Sequence, residues 1–253
     1  MQDGIIQVRG LSKRFGDTVA VDDITFVVAD GSVTGLLGGN GAGKTTTMAM
    51  LLGLLVPSAG EIAIGGIDMI RNRHRALPFM NFASPYVDLP HRLTVGENLE
   101  VYAGLYGVRK PRRRIAELAA ELDFEALLDR PYGNLSSCQK TRVALAKALV
   151  NRPRVLLLDE PTASLDPDSA DRIRTYLERY AAEARATLFL ASHNMAEVER
   201  LCDEVLMMRR GRIVDSGTPQ ALIERYRRET LEEVFLDIAR AEPVAPAEAG
   251  RAA

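Results

Sequence analysis

The shortages in this chain narrow it first. Cysteine is scarce: Cys138 and Cys202 are the two among 253 residues. Two thiols make no disulfide framework, so a small stapled fold is excluded. Long apolar runs are missing too. The longest candidate, residues 48–56, falls well short of the roughly 18 residues that a membrane helix needs. No leader pattern opens the chain, because Asp3 comes early and no long apolar block follows. Net charge is small: 32 basic against 34 acidic side chains leave −2. No broad positive field therefore points to nucleic acid. These shortages read as a cytosolic chain. What is abundant is apolar content, 47%, enough to bury the core of one large α/β domain or of a domain with a subdomain.

Against that background the run Gly38-Gly39-Asn40-Gly41-Ala42-Gly43-Lys44-Thr45, followed by Thr46, stands out. It fits the phosphate-binding loop pattern. Its glycines let backbone N–H groups curl around phosphate oxygens. A helix opening near Gly43 would aim its positive dipole end at the same anion. Lys44 adds a cation for the outer phosphates, and the Thr45 hydroxyl can take one position on Mg²⁺. The motif needs a strand before it and a helix after it. Residues 32–37 read as a buried strand and residues 46–55 as an apolar-faced helix.

Strands are predicted around this loop at residues 5–8, 24–28, 61–64 and 78–83, with turn signals at Gly16 and Asp22-Asp23. Helical spacing then takes over at residues 95–106, 112–122 and 139–150. Strands return at 155–159, 188–192 and 204–208, with a helix at 168–183 between the first two. An α/β core interrupted by a helical insertion is the expected plan. The Ala-, Pro- and Glu-rich end is expected to lack stable structure. No internal repeat is evident.

Val155-Leu156-Leu157-Leu158-Asp159-Glu160 is an apolar strand ending in two acids. Such a strand delivers Asp159 to its C-terminal edge, where open α/β sheets bind ligands. There Asp159 can hold Mg²⁺ through a water. Glu160 points differently, since strand neighbours alternate faces, and is placed to polarise an attacking water.

With these motifs in order, residues 4–238 resemble an ATP-binding cassette (ABC) ATPase of the type-2 exporter, drug-resistance-like kind. Leu11-Ser12-Lys13-Arg14-Phe15-Gly16 is similar to the segment whose aromatic stacks on adenine, here Phe15. Ala163-Ser164-Leu165-Asp166-Pro167 resembles the loop that crosses the dimer around Asp166, and Leu190-Ala191-Ser192-His193 the switch histidine that contacts the γ-phosphate. The resemblance implies a P-loop NTPase core with a mixed or parallel sheet, an antiparallel β subdomain and a helical subdomain at about 86–150. It leaves 239–253 as a disordered tail. It implies ATP and Mg²⁺ as cofactors. Glu160 and His193 would be catalytic.

Three departures from the family pattern stand out. The family signature Leu-Ser-Gly-Gly-Gln is here Leu135-Ser136-Ser137-Cys138-Gln139. In the family this segment acts in trans on ATP held by the opposite subunit. Ser136 is a good N-cap for a helix starting near Gln139. The side chains of Ser137 and Cys138 restrict φ where backbone must approach phosphate. The expectation is a weaker ATP-bound dimer or slower hydrolysis than with Cys138→Gly; the alternative is that both side chains point away at small cost. For Cys138, a thiolate favoured by the helix dipole stands beside a small inert apolar residue. Second, the glutamine the family places between its subdomains is absent from Phe82-Ala83-Ser84-Pro85-Tyr86. Ser84 is the candidate substitute on the metal. Third, Gly39 stands where proline is common.

The resemblance implies partners as well. A second cassette, most simply a copy of this chain, completes the site head to tail. A separate transmembrane permease supplies the path and the only membrane contact, at the cytoplasmic face. Leu93-Thr94-Val95-Gly96-Glu97-Asn98-Leu99 and Leu231-Glu232-Glu233-Val234-Phe235-Leu236 resemble exporter cassettes, although an amphipathic helix over the core also explains the second. The basic run Arg109, Lys110, Arg112, Arg113 and Arg114 reads as a solvated helix start, or as a face for anionic headgroups or the permease. A soluble or regulatory cassette with weak turnover is the alternative function.

Overall fold

The computed structural model describes residues 4–85 and 87–240. A long hairpin opens the chain, β1 (Ile6–Phe15) and β2 (Thr18–Val28). Gly16, with φ +56°, makes its turn. β3 (Val33–Leu37) leads into α1 (Lys44–Leu51). Next come β4 (Ala59–Ile64), β5 (Ile67–Asp68), a short α2 (Arg73–Ala76) and β6 (Met80–Ala83). The insertion holds α3 (Val95–Leu105), α4 (Pro111–Glu121) and α5 (Ser137–Leu149). The core resumes with β7 (Val155–Asp159), α6 (Pro167–Ala184), β8 (Thr187–Ser192) and α7 (Met195–Leu201). It ends in β9 (Glu204–Arg209), β10 (Arg212–Gly217), α8 (Pro219–Tyr226) and α9 (Leu231–Arg240).

Two sheets result. One is antiparallel, in the order β2-β1-β4-β5. The other runs β10-β9-β3-β8-β7-β6 and is parallel except for the β10–β9 edge pair. β3, β7 and β8 are buried along their whole length, as parallel strands covered on both faces must be. The period of two splits their side chains between two cores. Leu156, Leu158, Leu188 and Leu190 face the helical insertion, α6 and the C-terminal helices. Leu157, Phe189, Ala191 and Leu36 face α1 and the antiparallel sheet. Phe26 stacks on Phe189 across that second core, ring centroids 5.6 Å apart.

Several boundaries differ from the sequence expectation. α1 stops at Leu51, because Gly53 takes φ +66° and closes the helix. Gly53 N–H donates to Met50 O at 3.0 Å and Leu54 N–H to Ala49 O at 2.9 Å, the paired bonds of a glycine-terminated helix end. Leu54 is thereby turned out into solvent. α5 begins two residues before Gln139, at Ser137. At the C-terminus, α9 runs through Arg240, two residues into the expected tail; the rest of that tail, and Tyr86, lie outside the described residues. Within the basic run, Arg112 pairs with Glu100 and Arg113 with Glu117 at exposed positions, as a solvated helix start would; Arg114 is largely buried, pairing with Glu117 and donating to Leu149 O at 2.9 Å.

Candidate functional site

β3, β7 and β8 are parallel neighbours, and they end in register: Leu37 opposite Ser192, and Asp159 opposite Ala191. The phosphate loop, Asp159-Glu160 and His193 therefore emerge at one sheet edge. Gly43 is the N-cap of α1 with φ +109°, and a Cβ there would lie 2.6 Å from Ala20 O. Only glycine fits that close approach. Lys44 is buried and folds back over the loop, its Nζ donating to Gly38 O at 2.5 Å and Gly39 O at 3.3 Å. Burial lowers the Lys44 ammonium from its ordinary range, while the charges of Glu160 and Asp159 raise it. Thr45 is exposed and Thr46 half-buried, at the first turn where helical N–H groups lack internal partners. At Gly39 the φ is ordinary, and a Cβ would meet nothing nearer than Phe235 at 4.0 Å. The missing proline is therefore no backbone requirement of this loop.

Asp159 is 4% exposed. Burial raises its carboxyl, the charge of Glu160 raises it further, and Lys44 opposes both. Glu160 adopts φ +50°, the left-handed region that is unusual for a side chain of this kind. Its N–H is tied to Ala191 O at 2.8 Å. That twist swings the carboxylate to His193: Glu160 Oε1 lies 2.6 Å from His193 Nδ1. The His193 N–H adds a longer contact to Oε2 at 3.5 Å. With Glu160 ionised, the proton of the short bond sits on Nδ1. A phosphate cradle, a buried acid and an acid–imidazole pair thus share one edge, which suits nucleoside triphosphate hydrolysis.

The comparisons agree with that chemistry. Residues 21–163 match the ABC transporter family. A Nod factor export ATP-binding protein I from Rhizobium sp. (strain N33) is 39% identical over 223 residues, 87% of this chain and 73% of that protein. The ABC transporter ATP-binding protein NatA of Bacillus subtilis (strain 168) is 34% identical over 92% of this chain and 97% of its own. A solved ATP-binding subunit of an ABC transporter superposes with a TM-score of 0.86 at 28% identity, covering 92% of this chain and 99% of that one. This chain belongs to the ABC transporter family. It is the ATP-binding, ATP-hydrolysing subunit.

The remaining expected residues of the ABC cassette fall in three places. Phe15 sits at the end of β1, 51% exposed, with Lys13 Nζ 5.1 Å from its ring centre. Ser84 is buried one residue beyond β6, whose Ala83 pairs with Leu158 of β7. That position puts it at the level of Asp159. The signature segment is held on the helical insertion. Ser136 caps α5, its hydroxyl accepting from Gln139 N–H at 3.3 Å, while Gln139 Oε1 accepts from Ser136 N–H at 3.0 Å. Ser137 and Cys138 lie in the first turn of that helix, and neither has a positive φ. Cys138 Sγ is directed to α6, 3.8 Å from both Asp166 Oδ2 and Ser169 Oγ. Asp166 is itself the N-cap of α6 and accepts from Ser169 N–H at 3.0 Å.

Sequence reasoning missed Glu197. It is 1% exposed, and both its oxygens are taken. Thr162 Oγ1 donates to Oε1 at 2.8 Å and Ser192 Oγ to Oε2 at 2.7 Å. A signal was present: Asn194 followed three residues later by Glu197 has the spacing of a helix N-terminal capping pair. Asn194 does accept from Glu197 N–H, at 3.3 Å.

Proposed function

We propose that this ABC ATPase energises export as a head-to-tail dimer of two copies, closing on ATP and opening after hydrolysis, with a separate permease carrying the substrate. The observation that carries the reading is the 2.6 Å bond between Glu160 and His193 beside Lys44 and Asp159. His193 Nδ1 holds one oxygen of Glu160; the second, in only a 3.5 Å contact with the His193 N–H, takes a proton from the attacking water. This general-base step contributes about 10²–10⁴ in rate. Lys44 and the loop N–H groups from Gly41 to Thr46 bind the phosphates, Phe15 stacks on adenine, and His193 also reaches the γ-phosphate.

Among the described residues no three His, Cys, Asp or Glu side chains form a metal cluster. The Thr45 hydroxyl and the buried, cation-seeking Asp159 instead make a hard-oxygen set that suits Mg²⁺ shared with phosphate; Thr45 would bind it directly, Asp159 through a water, and Ser84 is the third candidate. Bound there, Mg²⁺ would neutralise charge on the β- and γ-phosphates. Ser136, the free N–H groups of Ser137 and Cys138, and Gln139 would meet the partner's ATP, with Asp166 at the crossing.

Export is supported by the similarity to the Rhizobium Nod factor export ATP-binding protein. The permease is supported by a cleft of about 570 Å³ between the core and the insertion, lined in part by Leu54, Leu77, Phe82, Tyr102 and Leu105. Leu54 and Leu105 are 77% and 75% exposed, an apolar surface suited to a permease helix. The cassette then works at the cytoplasmic face of the membrane. No helix among the described residues is long and apolar enough to cross it. The test is light scattering of Glu160→Gln with and without MgATP. A dimer that appears only with ATP is expected; a monomer at saturating ATP contradicts the head-to-tail reading.

A further inference from the structure

Glu197 is not part of the phosphate loop, the metal set or the acid–imidazole pair, yet it is among the most buried ionisable groups of the chain. Its partners define its place. Thr162 lies two residues after Glu160, on the turn leaving β7. Ser192 lies one residue before His193, at the end of β8. A single carboxylate therefore bridges the two loops whose tips carry Glu160 and His193.

The bridge is continued into the backbone. Ser192 Oγ, which donates to Glu197, accepts from Asn194 N–H at 3.1 Å. A capping glutamate ordinarily reaches back to the N-cap N–H directly. Here the Ser192 hydroxyl is inserted between Glu197 and Asn194, so the cap of α7 is coupled to the His193 loop. On the other side, Leu165 N–H donates to Thr162 O at 3.1 Å and Ala163 N–H to Glu160 O at 3.2 Å, so the Thr162 turn is itself compact. Burial raises the Glu197 carboxyl, and the bonds from Ser192 and Thr162 oppose that rise.

We propose that Glu197 is a positioning residue for ATP hydrolysis, its carboxylate fixing through Thr162 and Ser192 the spacing of the loops that present Glu160 and His193. This rests on the base and switch roles given above. The Glu160–His193 bond is short and joins an exposed imidazole to a largely buried carboxylate, and Glu160 is in a left-handed conformation that does not persist unless surrounding contacts hold it. The Glu197 bridge supplies such a contact from beneath. It lies outside the phosphate loop and bonds to Thr162 and Ser192, so its loss misaligns the pair without removing phosphate ligands.

The test uses the full chain and Thr162→Val, which removes one hydroxyl at nearly constant shape. Thr162→Ser restores the hydroxyl. Thr162→Val is expected to lower kcat about 10–100-fold, in the range of a small misplacement of reacting groups, with KM for ATP unchanged. Thr162→Ser recovers most of the rate. In a His193→Ala background, Thr162→Val adds no further loss. The chain has three histidines, so the imidazole ¹⁵N signals of His193 can be followed by NMR. They should move in Thr162→Val and Glu197→Gln and stay in place in Thr162→Ser. The proposal is overturned if kcat per folded molecule is unchanged, if the loss is equal in the His193→Ala background, or if the His193 signals do not move. Failure of the underlying reading is distinct: His193→Ala and Glu160→Gln would then retain full turnover, whatever the NMR shows.

Discussion

The Glu160 carboxylate and the His193 imidazole, 33 residues apart in sequence, are joined by a 2.6 Å hydrogen bond at the C-terminal edge of adjacent parallel strands. The sheet register brings them together, because β7 and β8 end within one residue of each other. Removing the ring frees Glu160 Oε1 and leaves only the 3.5 Å contact from the backbone N–H of residue 193 to orient the carboxylate. His193→Ala should lower kcat by about 10²-fold or more, with ATP affinity changed much less. Steady-state kinetics beside equilibrium nucleotide binding checks this.

Phe15 is an exposed aromatic at a hairpin end, with no core to fill. Phe15→Ala should therefore leave the unfolding midpoint in place. It should weaken ATP binding by about 1–3 kcal/mol, the scale of base–aromatic stacking. Fluorescent nucleotide titration and thermal unfolding of the same variant separate the two effects.

At the signature segment the orientation of Cys138 bears on the milder of the two expectations. Ser137 and Cys138 take ordinary helical φ, and the thiol is turned to Asp166 and Ser169. Glycine is not required by the backbone there. Cys138→Gly should leave kcat near the parent value and lower stability by about 1 kcal/mol through weaker helix propensity. A several-fold rise in turnover would contradict this. Iodoacetamide labelling of Cys138 should slow when ATP closes the dimer over it.

Asp159 and Glu197 have carboxyls raised by burial. Glu160 and Lys44 are the charges acting on Asp159, Glu160 and Arg174 those on Glu197. A raised acid keeps its proton to higher pH in the folded chain than in the unfolded one. The native state then binds more protons, so this contribution to stability falls as pH rises from the ordinary values, 3.8 and 4.5, to the raised ones, and is level above them. The nucleotide-free unfolding midpoint of Asp159→Asn, minus that of the parent, should grow across this window. A constant difference would contradict the burial argument.

The phosphate loop and the Asp159-Glu160 strand end were legible because each is a contiguous run whose chemistry is local. The mixed or parallel core was expected from the resemblance, and three apolar strands buried along their whole length agree with it. The end of α1 was not. Residues 51–55 continue the apolar pattern, and Gly53 turns Leu54 outward by backbone conformation alone. The Glu197 bridge was legible only in its local half, the Asn194–Glu197 spacing: Thr162 meets Glu197 through the register of β7 and β8. The orientation of Cys138 likewise depended on where α6 begins relative to α5.

MgATP hydrolysis by the purified full chain, measured beside Glu160→Gln, tests the central claim most directly. The account predicts magnesium-dependent turnover in the parent and a loss of about 10² or more in the variant, with ATP binding retained. Equal turnover in both would contradict the assignment of Glu160 as the base.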